Sequence, residues 1–212
     1  MTKTSFKAKY DTHSQSLAGT LTVGAGELKL KATCTDATFV NGSNLKGLSL
    51  GIEKPGFFMF DYDVPSNAPR FQFMSSAHVV GKQLKLTYIH SQKHDATFLE
   101  AALALDARNK LTTKYSFTSE KAHLKYSYTH GGNTTLEPAY DFSNNSWSFG
   151  ISQKITADNI VKMSFDDHRK TMAVEWNREP KSGGPLKILA TIPVNDSKSV
   201  KVLVEKTWKH ES

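Results

Sequence analysis

The chain has 212 residues, a formal net charge of +7 and a hydrophobic content of only 38%. This length predicts one domain over residues 1–212. The low apolar content predicts a poorly filled conventional core, because ordinary globular chains hold about 45–50% apolar residues, glycine included. The excess charge is mostly lysine spread along the chain without a polybasic block, which argues against nucleic acid as a partner.

The N-terminus carries no apolar segment of the kind found in secretory signals. A strand-like pattern already begins at Thr4, which is not typical of a transit peptide. We therefore predict no cleavable targeting peptide. The longest apolar runs, such as residues 57–60, are far shorter than the roughly 18 residues of a membrane helix. Only strands could carry this chain across a bilayer.

Alternation of apolar and polar residues is clearest between Leu17 and Asp36. Apolar positions here are Leu17, Leu21, Val23, Leu28, Leu30, Ala32 and Cys34. Polar residues such as Lys29 and Lys31 stand between them. Because successive side chains of a strand point to opposite faces, this period of two predicts an antiparallel hairpin with one apolar face. Glycines at residues 24 and 26 suit its tip.

The same alternation recurs along the rest of the chain. The runs lie near residues 4–10, 48–53, 57–64, 70–74, 84–88, 98–105, 111–117, 122–129, 136–142, 147–152, 161–165, 172–176, 186–192 and 200–204. The pattern weakens past Asp158, and Pro138 predicts a strand end or a bulge because it lacks a backbone donor. We predict an all-β fold: a closed antiparallel up-and-down barrel of about 14 strands, within a range of 12–16, and no substantial helix.

Alternation alone does not say which face of the barrel points inward. A soluble barrel that binds a small apolar ligand has its apolar face inside, whereas a transmembrane barrel has it outside. Lysine, serine and threonine on the polar face favour a wet lumen, and aromatic residues near strand ends favour a membrane girdle. These aromatics are Tyr10, Tyr88, Tyr128, Tyr140, Trp147 and Trp208. Both barrels, and a non-catalytic interaction scaffold, remain open on pattern alone.

No catalytic or cofactor motif stands out in the sequence. His90 and His94 have a metal-ligand spacing for a helix but not for a strand. Asp166, Asp167 and His168 fall at a predicted turn, and Cys34 lies on the apolar face of its strand. We therefore predict no enzyme activity, no metal and no cofactor.

Several short strings in order give the sequence a specific resemblance. They are Lys9-Tyr10-Asp11, Ala32-Thr33-Cys34-Thr35-Asp36-Ala37-Thr38, Gly47-Leu48-Ser49-Leu50, Glu53-Lys54-Pro55-Gly56, Arg70-Phe71-Gln72-Phe73-Met74, Leu86-Thr87-Tyr88-Ile89-His90-Ser91, Lys125-Tyr126-Ser127-Tyr128-Thr129-His130-Gly131-Gly132 and Glu137-Pro138. Together they resemble the plastid outer-envelope pore proteins of the 24-kDa class, most closely up to about Trp147.

The resemblance implies a transmembrane porin of the plastid outer envelope, in chloroplasts and non-green plastids. It implies a wide, weakly selective, voltage-dependent and homo-oligomeric channel without a catalytic site. The solutes implied are phosphorylated metabolites, phosphate, dicarboxylates, sugars, amino acids and ATP, so the partners expected are the lipid bilayer and small anionic or neutral metabolites. A weak preference among small ions for cations is implied as well.

The polar face supplies the predicted pore lining. Its members are Lys7, Lys9, Lys29, Lys31, Lys85, Lys114, Lys125, Lys154, Lys187, Lys201, Glu53, Glu137 and Glu175. Asp61, Asp63, Glu100 and Asp141 are placed on the same face. Lysines outnumber all of these acids, which predicts a positive average potential and attraction of anionic metabolites. Salt in a wide lumen screens charges beyond about 8 Å, which predicts weak selectivity. On the apolar face, Leu28, Leu30, Leu84, Leu86, Phe149 and Ile151 are predicted to touch lipid.

Overall fold

The structure is a computed structural model that describes residues 3–40, 45–196 and 199–211. Over these ranges it contains sixteen strands and two short 3-10 helices, Asp36–Thr38 and Gln92–His94. The strands are β1 (Lys3–Asp11), β2 (Ser16–Ala25), β3 (Leu28–Thr35), β4 (Ser49–Lys54), β5 (Phe58–Asp63), β6 (Ala68–Val79), β7 (Lys82–Ser91), β8 (Ala96–Ala104), β9 (Asn109–Ser116), β10 (Lys121–His130), β11 (Thr134–Asp141), β12 (Ser146–Lys154), β13 (Asn159–Asp166), β14 (Thr171–Arg178), β15 (Leu186–Pro193) and β16 (Lys201–Glu211). None of the helices in the described part of the chain is long and apolar enough to cross a bilayer.

Each strand pairs antiparallel with its neighbours in sequence, and β1 pairs with β16 to close the barrel. The predicted class is confirmed, whereas the number of strands lies at the top of the predicted range and exceeds the central value of about 14. The central value of about 14 expects some of the short runs to merge or to stay in loops. In the structure even β4 and β5 form separate strands of six residues each. The alternation weakens past Asp158 because Ile160, Leu189 and Leu203 occupy positions on the otherwise polar face.

Strand register keeps polar residues opposite polar residues around the wall. On β3, Lys29 lies opposite Glu53 of β4, and Lys31 lies opposite Gly51, which in turn faces Asp61 of β5. Directly opposed residues of a ladder share one face of the sheet. The barrel therefore has one continuous polar face and one continuous apolar face.

The polar face is the inner, concave one. The most buried side chains, Ala68, Ser91, Ser116 and Ala139, all occupy positions on it. On the apolar face, Leu30 is 47% exposed and Phe149 is 54% exposed. Side chains converge on a concave surface and diverge on a convex one, so greater shielding marks the inside. The soluble alternative, which needs an apolar interior, is not the arrangement observed.

The prediction of a strand end or a bulge at Pro138 is wrong, because Pro138 lies inside β11. Its ladder with β12 is continuous, with Pro138 opposite Phe149. On the other side, the ladder with β10 is interrupted, yet the register before and after the gap is the same. The missing donor therefore removes pairing locally without shifting the strand.

The two ends of the barrel carry different turns. We call the end where β1 begins and β16 ends the terminal mouth, and the end that holds the turns after β1, β3 and every further odd-numbered strand the opposite mouth. Six turns of the opposite mouth are four residues long and end on a residue with positive φ, namely Gln15, Asn67, Asp95, Glu120, Asn145 and Lys170. The last strand residue often accepts from the turn backbone: Asp141 accepts from the N–H of Ser143 at 2.8 Å. Such side-chain acceptors stabilise tight turns.

Candidate pore lumen

A cluster of opposite charges lies on the inner wall near mid-height, centred on Glu137 of β11. The ammonium group of Lys125 on β10 lies 3.1 Å from its carboxylate, and Lys162 on β13 contacts the other oxygen. Ser127 donates a third hydrogen bond at 3.3 Å. Lys162 reaches Glu137 across β12, where the facing residue is Gly150. The side chain of Glu137 is only 15% exposed, so its charge is held by fixed donors.

The same alternation of charge continues towards β16 and β1. Glu175 on β14 is 2.8 Å from the ammonium group of Lys187 on β15 and accepts a hydrogen bond from Asn177. Further around the wall, Lys7 on β1 lies 3.2 Å from Glu205 on β16. Because Lys162 stands opposite Glu175 in the ladder, the basic and acidic groups form a nearly continuous arc.

The opposite side of the lumen is lined in the same way. Glu53 on β4 contacts Lys31 and lies 4.0 Å from Lys29, both on β3. Two further pairs are Asp61 with Arg70 at 3.0 Å and Glu100 with Lys114 at 3.2 Å. We call the ion pairs of these two arcs the charge belt.

All thirteen predicted pore-lining residues occupy positions on the inner face. Nine belong to ion pairs: Lys7, Lys29, Lys31, Lys114, Lys125, Lys187, Glu53, Glu137 and Glu175. Among the described residues, the other four, Lys9, Lys85, Lys154 and Lys201, have no carboxylate within 4.0 Å. Most lysines predicted to make the lumen positive are therefore locally neutralised.

Sequence reasoning missed Arg70, Lys162 and Glu205, which complete the charge belt. The alternation in β13 could have placed Lys162 on the polar face, because Val161, Met163 and Phe165 lie on the other face. The signal was weak because Ile160 precedes Lys162 on the same polar face.

Aromatic side chains on the outer wall donate hydrogen bonds to asparagine side chains near both mouths. At the opposite mouth, the hydroxyl groups of Tyr62 and Tyr140 donate to the side-chain carbonyls of Asn67 and Asn145. At the terminal mouth, Tyr126 donates to Asn109, and the indole N–H of Trp176 donates to Asn159 at 3.1 Å. Amphipathic rings near both rims are what the two headgroup regions of a bilayer favour.

The wall encloses a wide lumen. Sixteen strands spaced about 4.8 Å apart and tilted by about 40° give a backbone circumference of about 100 Å and a radius of about 16 Å. Every strand in the described ranges belongs to the wall, and no strand among them crosses the interior. Barrels of this strand number leave an aqueous channel. The described residues contain no group of side chains arranged to hold a metal ion.

Two carboxylates in turns of the terminal mouth have a pKa below the usual value, so they stay ionised to a lower pH than a free carboxylate does. The pKa of Glu27 is lowered by its hydrogen bond to Lys54, whose ammonium nitrogen lies 2.7 Å away. The pKa of Asp106 is lowered chiefly by the backbone N–H of Arg108, with Asn109 as a second donor. Asp106 therefore stabilises its own turn, whereas Glu27 links the turn after β2 to the end of β4.

Comparisons with known proteins agree with this geometry. Residues 2–211 match the family described as outer envelope pore protein 24. The chain is 40% identical over 210 residues to outer envelope pore protein 24B, chloroplastic, of Arabidopsis thaliana, covering 99% of this chain and 98% of that protein. It is 36% identical over 222 residues to outer envelope pore protein 24, chloroplastic, of Oryza sativa subsp. indica, covering 99% of both.

Among solved structures, mutant porins of Rhodopseudomonas blastica share the fold. One of them has a TM-score of 0.59 at 10% identity and covers 99% of this chain and 98% of its own. This likeness concerns the barrel alone. The pore family and the porin-like wall together identify a channel and not an enzyme. The chain belongs to the outer envelope pore protein 24 family.

Proposed function

We propose that this barrel is a wide, weakly selective solute channel of the outer envelope of chloroplasts and non-green plastids. Its solutes are phosphorylated metabolites, phosphate, dicarboxylates, sugars, amino acids and ATP, which pass by diffusion down their gradients. The observation that carries this proposal is the charge belt, which lines an open lumen with paired charges of both signs.

Paired charges account for weak selectivity. Each one-to-one pair, such as Lys187 with Glu175, presents a small dipole whose potential falls off steeply with distance. The carboxylates of Glu53 and Glu137 each meet two lysines, so only one positive charge remains in each of these clusters. Screening in the lumen acts beyond about 8 Å at physiological ionic strength, while the backbone radius is about 16 Å. A solute on the pore axis therefore meets a weak average field, and neutral, anionic and cationic solutes can pass.

Two further properties belong to the same proposal. Charged side chains inside the lumen lie in the membrane field, and their movement makes the conductance depend on voltage. Moving one charge across the membrane changes its energy by about 2.3 kcal/mol per 100 mV. The assembly proposed is a homo-oligomer surrounded by lipid, as the family resemblance implies. Its test is the mass of the purified protein in mild detergent, where a single-chain mass would contradict it.

The channel is tested by recording the purified protein in a planar bilayer under a KCl gradient. We expect a large conductance with a reversal potential near zero, and conductance that changes with holding voltage. The triple substitution of Lys29, Lys31 and Lys125 by Gln should shift the reversal potential towards cation permeation. Lys181→Gln, in the loop after β14, is the control and should leave it in place. A strongly ion-selective wild-type pore, or a triple variant with no shift, would contradict the role given to the charge belt.

A further inference from the structure

The two mouths of the barrel carry opposite net charge. Among the residues described, each mouth is taken as its turns together with the two strand residues on either side of each turn. The terminal mouth has nine basic side chains, Lys29, Lys54, Lys82, Arg108, Lys110, Lys154, Arg178, Lys181 and Lys187, and five acidic ones, Glu27, Glu53, Asp106, Asp158 and Glu179. The opposite mouth has six basic side chains, Lys46, Lys93, Lys121, Arg169, Lys170 and Lys201, and nine acidic ones, Asp11, Asp36, Asp63, Asp95, Glu120, Asp141, Asp166, Asp167 and Asp196. One end is thus basic and the other acidic.

Inner-face lysines without counter-charges lie at the basic mouth and deeper in the lumen beside it. Lys85 on β7 lies opposite Ser76 and Ala102, and Lys110 on β9 lies opposite Ala104 and Ser127. The facing residues are serine and alanine, and none of them carries a carboxylate that could form an ion pair with a lysine. This contrasts with the charge belt, where Lys114 on the same strand as Lys110 lies opposite Glu100.

Two further cations extend this region. Lys154 at the end of β12 lies opposite Ile160, an apolar residue. Arg108 lies in the turn before β9, where the nearby acid, Asp106, already accepts from the backbone of Arg108 and from Asn109. We call Lys85, Arg108, Lys110 and Lys154 the cationic arc. In the described part of the chain, no member of this arc forms an ion pair.

We propose that the cationic arc is a docking site for multivalent anions of the polyphosphate type, and that such anions enter and block the pore mainly from the terminal mouth. This rests on the proposed channel function. A polyanion approaching from the other end first meets the acidic mouth, which repels it, whereas at the terminal mouth several unpaired cations act on it together. Clefts lined by one sign of charge concentrate counter-ions and speed their capture by about tenfold or more.

The test uses sodium tripolyphosphate as the probe on the full-length channel in a planar bilayer at 0.1 M KCl. Orientation is assigned with Ser182→Cys in a Cys34→Ala background, because residue 182 is exposed in a terminal-mouth loop and takes an impermeant biotin–maleimide label. We expect half-block from the terminal side at a concentration about tenfold lower than from the opposite side. At about 1 M KCl the difference should collapse, since the screening length falls to about 3 Å.

Two matched triple variants each remove three unpaired inner-face lysines. Substitution of Lys85, Lys110 and Lys154 by Gln should abolish the sidedness, whereas substitution of Lys9, Lys121 and Lys201, which lie towards the opposite mouth, should preserve it. Symmetric block of the wild type, stronger block from the acidic mouth, or equal effects of the two variants would overturn the docking site. Channels that conduct KCl without the probe show that the pore function stands, so failure of the docking site is separable from failure of the channel.

Discussion

On β7, Leu86 and Thr87 are adjacent in sequence but lie on opposite faces of the wall. Leu86 is opposed by Ser75 and Ala101 on the outer face, and Thr87 is opposed by Met74 and Glu100 on the inner face. The outer side chains meet hydrocarbon, where an unpaired charge finds no partner. The inner side chains meet water and each other, where a charge is either hydrated or paired.

This difference separates the kinds of effect that substitutions should have. An outer residue faces lipid, which offers no partner for a charge, and a change there alters the stability of the barrel. An inner residue acts through its partners, and a change there alters the field that solutes cross. The outer wall therefore determines whether the barrel forms, and the inner wall determines what passes.

The largest expected effect comes from placing a charge on the outer wall. Leu86→Arg should destabilise the folded barrel by about 2–4 kcal/mol, the cost of arginine near the midplane of a membrane barrel. Thr87→Arg places the same side chain in the lumen and should be tolerated. Refolding into lipid vesicles in a urea series measures both. Equal stability of the two variants would reject the assignment of inside and outside.

A smaller effect is expected where the outer wall meets the headgroups. Tyr140→Phe removes the hydroxyl that donates to Asn145 and should cost about 1 kcal/mol in unfolding free energy. Tyr88→Phe is the matched control on the outer wall, and its effect should be within about 0.5 kcal/mol. If the two substitutions cost the same, the tyrosine–asparagine pairs would not anchor the rim.

On the inner wall, the effect should appear mainly in selectivity. Glu137→Gln leaves Lys125 and Lys162 without their shared carboxylate, so the reversal potential should move towards anion permeation, opposite in sign to the lysine triple variant. Stability should fall by less than about 1 kcal/mol, since both lysines are more than one-third exposed to the lumen. Glu179→Gln, in an exposed loop, is the control. A shift towards cations would show that the cluster does not control the local potential.

The smallest effect concerns acid stability at the terminal mouth. The pKa of Asp106 is below its ordinary value of 3.8, so its contribution is complete above that value and is lost as pH falls through the lower, folded-state pKa. Asp106→Asn should therefore reduce the loss of stability as the pH falls below the ordinary aspartate pKa of 3.8. Thermal unfolding in detergent at several pH values measures this. An unchanged pH profile would show that the turn does not depend on the ionised carboxylate.

Much of the barrel could be predicted from residue order alone. The face of a strand residue depends only on its parity, so Lys29, Lys31 and Lys125 could be placed together on the polar face without any knowledge of strand partners. The same rule placed Leu86 and Phe149 on the apolar face. It predicted the all-β class and a range of strand numbers that includes the observed one.

Three features depended on the tertiary structure. Closure at sixteen strands fixed the width of the lumen, and the curvature of the closed wall showed that the polar face is inside. Contacts between strands showed which lysines are neutralised: Lys162 meets Glu137 from two strands away, whereas Lys85 faces alanine and serine. Alternation specifies the face of a residue but not its neighbour across the ladder. That neighbour is set by register and curvature, which exist only once the sheet has closed.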